Sequence, residues 1–189
     1  MSNLDCFLSL LIGNFDNSEQ FKAFVSSVNK NRCGVKDFPF AEHVNTVCNN
    51  KIKNLPENFK GKFLLEESYY TSNGKTHASP HLFLFTEETK GIKLTSYEIP
   101  QGYDKKSFNY ENMNLIDYSD LKISEKFTPA FYVFKENFWE GGSVSNFSPI
   151  MKFTLFERFS EKQLEVSETI EVNGKRTFGY DDPIIYKRK

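Results

Sequence analysis

From Lys62 onward the chain is divided into short β-prone runs by turn residues, and this rhythm limits what it can fold into. The runs are KFLLEESYY, HLFLFTE, GIKLTSYEI, AFYVFKENF, IMKFTLFERF, QLEVSETIEV and DPIIYKR. The breaks are SNGKTHASP, ETKG, PQGYDKK, EGGSVSNFSP and NGKRTFGYDD. Asn73-Gly74 and Asn173-Gly174 read as hairpin turns, because a tight two-residue turn needs positive φ at both centres. Residues 104–126 are polar and admit either a strand or a long loop. Many short strands with regular turns describe a sandwich or a barrel. The barrel is favoured, because closure removes exposed sheet edges and leaves room for one small ligand. A length of 189 residues fits a single domain, 1–189, with N-terminal helices over 1–30 and the barrel over 62–189.

The N-terminal segment has a different period. Leu4, Phe7, Leu8 and Leu11 form one face of a short helix, and Phe21, Phe24, Val25 and Val28 form another. Between them lies LIGNFDNSEQ. Gly13 is expected to end the first helix in the left-handed conformation, and Asn17 with Gln20 resembles a capping box for the second. This is a joint between helices. Residues 30–60, with NKNRCGVKDFPF and NLPENFKG, read as irregular.

Alternation picks out polar residues on inward faces. In Leu164–Val172 the even positions are Leu164, Val166, Glu168, Ile170 and Val172, against a wholly polar odd face. With a side-chain period of two, Glu168 points inside. A buried carboxylate is costly unless paired, hydrogen-bonded or protonated. Glu168 is therefore either in a salt bridge with an inward Arg or Lys, or a ligand-facing acid with a raised pKa. Phe63, Leu65, Glu67 and Tyr69 suggest a second such row, and Met151, Phe153, Leu155 and Glu157 a third, in which Glu157 at the strand end reads as exposed. His81 opens a hydrophobic strand, a position more typical of a structural histidine than of a catalyst.

Other classes are disfavoured. A net charge of −1 lacks the basic footprint of a nucleic-acid binder. Phe7 to Ile12 is too short to span a bilayer and has no basic leader or small-residue cleavage site, so a cytoplasmic protein without membrane contact is expected. Cys6, Cys33 and Cys48 show no ligand spacing and read as free thiols; His43, His77 and His81 do not form a zinc pattern. There is no P-loop, dinucleotide fingerprint, nucleophile elbow or HExxH. The 20 phenylalanines suit either a large aromatic core or a cavity with flat walls.

Several stretches, in order along nearly the whole chain, resemble the T-type phycobiliprotein lyases, the CpcT/CpeT chromophore lyases of cyanobacteria and their phages. They are Gly13, Phe15, Asn17 and Gln20 in GNFDNSEQ; DFPF; Glu66, Glu67 and Tyr69 in EESYY; and SETIEVNGKRTFGYDDPIIY. The family's Tyr-Arg-x-Arg strand corresponds to His81-Leu82-Phe83-Leu84, so Leu82 and Leu84 stand at its arginine positions. Its Asp-Arg-Gly falls in the region of Glu168, Thr169 and Ile170. The resemblance implies a mainly β, calycin/lipocalin-like antiparallel barrel with short N-terminal helices. It also implies delivery of a phycobilin, phycoerythrobilin in the CpeT branch, to a cysteine of a phycobiliprotein (phycoerythrin) β-subunit. The bilin would be substrate and no cofactor is implied; a homodimer would be reasonable. On this reading Glu168, then Glu67, would accept the pyrrole N–H groups, and His81 and Tyr69 would bond the lactam oxygens. Arg158 and Arg176 would hold the propionates at the mouth, and Asn17 would bring its amide near the bilin. The alternatives are a bilin carrier that does not transfer, and a lipocalin-like carrier of another apolar ligand.

Overall fold

The computed structural model describes residues 2–28 and 39–189. Cys33 and most of NKNRCGVKDFPF lie outside the described residues. Two helices, α1 (Asn3–Leu11) and α2 (Ser18–Val28), flank strand β1 (Gly13–Asp16). There follow β2 (Phe40–Val47), β3 (Ile52–Lys53), β4 (Lys62–Ser72), β5 (Lys75–Ala78), β6 (His81–Glu88) and β7 (Gly91–Tyr97). The chain continues through β8 (Ile116–Asp117), β9 (Ala130–Lys135), β10 (Phe138–Ser148), β11 (Met151–Phe159), β12 (Leu164–Val172), β13 (Lys175–Phe178) and β14 (Ile184–Arg188).

Ten strands close into an antiparallel, calycin-like barrel in the order β11-β10-β9-β7-β6-β4-β2-β1-β14-β12, with β12 returning to β11. Hairpins β4–β5 and β12–β13 extend from it. Both turn on the Asn-Gly pairs, with φ of 50° and 71° at Asn73-Gly74 and 51° and 72° at Asn173-Gly174. Among the described residues no helix is long and apolar enough to cross a membrane.

The barrel extends beyond 62–189, because β1 and β2 belong to its wall. The residues of β2 facing inward are Ala41, His43 and Asn45, so its hydrophobic alternation is too weak to read as a strand. EGGSVSNFSP is no break. It forms most of β10, while AFYVFKENF holds a turn at Glu136 (φ 54°) that separates β9 from β10. Gly141 and Gly142 make this possible. A Cβ on Gly141 would lie 1.8 Å from the Phe131 carbonyl oxygen, and one on Gly142 1.9 Å from that of Leu155. Only glycine allows the neighbouring strands so close.

The joint also differs from expectation. Helix α1 ends at Ile12 in an extended conformation, and Gly13 is the first residue of β1. Asn17 does not cap α2; its Oδ1 accepts from the Ala41 N–H (2.8 Å) and its Nδ2 donates to the Pro39 carbonyl (3.0 Å). Gln20 donates to the Pro183 carbonyl (2.8 Å) and accepts from the Ile185 N–H (2.9 Å). The Ser18 N–H is bound instead by Asp16 Oδ1 (2.9 Å). Arg188 of β14 donates to the carbonyls of Ser9, Leu10 and Ile12 at the end of α1, and its guanidinium lies 4.6 Å from the Phe15 ring centroid. GNFDNSEQ is a seam between the two ends of the chain.

Helix α1 closes one end of the barrel. Phe7 is fully buried among Phe85, Tyr132, Trp139 and Phe159, with ring centroids 5.2–5.5 Å apart. A second cluster forms outside the wall, where Phe63, Leu65, Leu82 and Leu84 are covered by Phe108, Met113 and their neighbours. The ambiguous stretch 104–126 supplies much of this cover.

Asn17→Ala leaves the buried Ala41 N–H without its acceptor. It is expected to cost about 2–3 kcal/mol of unfolding free energy, read as a lower urea midpoint. An unchanged midpoint would show that the seam does not depend on this amide.

Candidate functional site

The barrel is hollow. A cavity of about 420 Å³ lies above the α1 floor, within the range of small-molecule sites. Its depth follows from strand register. Along β11 the inward residues run from Phe159 at the floor through Glu157 and Leu155 to Phe153 near the mouth, opposite Leu164, Val166, Glu168 and Ile170 of β12. Phe83, Phe85, Tyr70, Phe127, Phe147 and Phe178 complete much of an aromatic wall.

Three carboxylates interrupt that wall. Glu168 lies midway up, and among the described residues it has no ion-pair partner. Burial, reinforced by the charge of Glu66 and opposed by His43, raises its pKa to about 7. Glu157 lies deeper than Glu168 on the β11–β12 ladder and accepts a hydrogen bond from the Tyr132 hydroxyl. Burial, with the charges of Glu66 and Glu168, raises it to about 8 against the opposing effect of Tyr132. Glu66 behaves in the opposite way. Burial alone would raise it, but His43 (Nδ1 to Oε2, 3.5 Å), His81 and the Ser68 hydroxyl (3.0 Å) stabilise its charge and lower it to about 2. His81 stacks on Phe83 at 5.5 Å; burial, with positive charge from His43, Lys105 and Lys126, lowers its pKa despite Glu66. At neutral pH the wall thus presents one anionic carboxylate, one protonated acid and one poised between the two forms. It can accept hydrogen bonds from N–H groups and can supply a proton.

Of the residues expected from sequence, Glu168 and His81 line the cavity. Five do not. Glu67 and Tyr69 are on the outer face of β4, where the Tyr69 hydroxyl donates to Glu67 (2.7 Å) and Glu67 accepts from the Tyr110 N–H (3.1 Å). The row Phe63, Leu65, Glu67, Tyr69 looked inward because the outer cluster buries that face too. Arg158 points outward between Glu140 (3.1 Å) and Glu165 (3.8 Å), over the Phe138 ring. Arg176 is exposed and paired with Asp181. Asn17 is spent on the seam. The sequence reading missed Glu66, His43 and Tyr132, and it placed Glu157 in solvent although its own alternating row points inward. Leu82 and Leu84 belong to the outer cluster, so the cavity's charge does not depend on those two positions.

No protein-family model matches the chain, and no curated protein matches it.

The two raised acids make stability depend on pH. Against the usual 4.5, folded-state values of about 7 and 8 mean that the native protein binds extra protons in that interval. The resulting stabilisation is present below pH 4.5 and is lost as pH rises through 7 and 8. Glu66 contributes with the opposite sign: its share is present above 4.5 and is lost as pH falls through about 2. The thermal midpoint is expected to fall between about pH 6 and about pH 9. Glu157→Gln, which stays neutral, should flatten that slope; an identical slope in the variant would contradict the assignment.

Proposed function

We propose that the barrel binds a phycobilin and acts as a T-type phycobiliprotein lyase, delivering phycoerythrobilin to a cysteine of a phycoerythrin β-subunit. The observation that carries this reading is the set Glu66, Glu157 and Glu168 on a wall rich in aromatic and aliphatic side chains. A fatty acid's hydrocarbon tail would bury these polar groups without offering them a hydrogen-bond donor. An open-chain tetrapyrrole instead offers a flat conjugated body for the rings and pyrrole N–H groups for the carboxylates.

Glu168, midway up and poised near neutrality, is the residue assigned to the pyrrole nitrogens. A carboxylate there favours the protonated, cationic bilin, whose A-ring ethylidene is more electrophilic. The acceptor's thiol then adds across that double bond, forming the C–S bond while its proton passes to the bilin. The barrel needs no nucleophile of its own. Among the described residues neither cysteine lines the cavity: Cys6 is exposed on α1, and burial pushes the Cys48 thiol up to about 12. The lyase's contribution is to hold one bilin conformation and one face for attack.

Mixing the protein with phycoerythrobilin should give a red-shifted absorption band that coelutes with it, and Glu168→Gln should weaken that band without unfolding the chain. Absence of both shift and coelution would end the bilin reading. Added apo-phycoerythrin β-subunit should acquire a thioether adduct at one cysteine that survives denaturation. Binding without transfer would instead make the protein a carrier.

A further inference from the structure

Among the described residues, one lysine and no arginine lines the cavity. This is Lys126, exposed just ahead of β9, at the end of the barrel opposite α1. Its ammonium lies 4.4 Å from the Phe147 ring centroid and 5.3 Å from that of Phe127. Those two rings meet edge to face at 5.4 Å, and both pack on Phe153. Cation–π attraction therefore holds the charge over the opening. Lys126 has no ion-pair partner among the described residues, whereas Lys152, Arg158 and Arg176 are each paired. Below it come the carboxylates, with Glu168 midway and Glu157 deeper. The cavity is electrically polarised, positive at the rim and negative within.

We infer that this polarity sets the orientation of the ligand, and that Lys126 is a specificity-determining residue selecting ligands with a free acid group. The choice of a bilin as ligand rests on the function proposed above. A bilin carries its propionates on the edge away from its pyrrole nitrogens. The polarised cavity takes the nitrogen edge inward, toward Glu168 and Glu66, and leaves the propionate edge at the mouth against Lys126. The reverse pose sets propionates toward the anionic Glu66 and the partly ionised Glu168, where a low dielectric magnifies repulsion. Lysine suits the rim position, being a compact point charge on a long stem that can follow a flexible carboxylate. The same pose directs the acid edge toward solvent and keeps the proton-exchanging groups dry.

The test compares two probes, biliverdin and its dimethyl ester, titrated by absorbance into the full-length protein and into Lys126→Glu, Lys126→Gln and Lys126→Arg. The position is exposed, so these variants should fold, which near-UV circular dichroism checks. The wild type should bind the free acid about fivefold tighter than the ester, the scale of a partly exposed ion pair, and the preference should shrink in high salt. Lys126→Arg should keep the preference; Lys126→Gln should lose it and Lys126→Glu reverse it. Equal binding of acid and ester by the wild type would overturn the orientation while leaving the bilin reading intact. A preference that survives in Lys126→Glu would overturn the role of Lys126. Failure of both probes to bind would remove the bilin reading and this inference with it.

Discussion

Closure of the sheet is the constraint on which the rest depends. Ten strands form a ring only if the last, β14, fits between β1 and β12, which brings the two ends of the chain together. The segment GNFDNSEQ secures that junction. Phe15 is buried under Arg188, Asn17 binds the backbone leading into β2, and Gln20 binds the backbone leading into β14. Arg188 completes the seam by taking the free carbonyls at the end of α1, which a helix cannot satisfy by itself. Once the ring is closed, every second side chain of each strand must point into the lumen. Helix α1 then seals one end with Phe7.

A lumen so enclosed has a low dielectric, and three carboxylates in it would repel one another strongly if all were ionised. The wall avoids this by giving each a different solution. Glu66 keeps its charge beside His43 and Ser68, Glu157 keeps a proton and is bonded by Tyr132, and Glu168 lies between these states. Groups pushed apart in this way divide acid and base roles between them. This arrangement favours a ligand with many N–H donors over a simple hydrocarbon tail. It also shows why the outer arginines are poor guides to the site: Arg158 and Arg176 already have carboxylate partners on the outside of the barrel.

Legibility varied strand by strand. In β12 the alternation is clean because one face meets the lumen and the other meets water, and Glu168 could be assigned an inward direction from it. In β4 it failed, because the stretch folded over the outside buries Phe63 and Leu65 as thoroughly as the lumen side buries Leu64. A strand covered on both faces has no polar side to reveal its register, so Glu66 and Glu67 were exchanged. In β2 the inward residues include His43 and Asn45, polar groups that are tolerable only through partners far away in sequence.

The sequence by itself determined the class of fold: short strands, two hairpins turning on Asn-Gly, an amphipathic first helix, and an acid directed inward from β12. These are local matters, set by backbone geometry and by a side-chain period of two or 3.6. Only the tertiary structure decided that the barrel is hollow, that Glu66, Glu157 and Glu168 share one lumen, and that Lys126 stands at its mouth. Those facts depend on which strands become neighbours on closure and on what covers each face. Both are settled by contacts between residues distant in the chain, which no local pattern encodes.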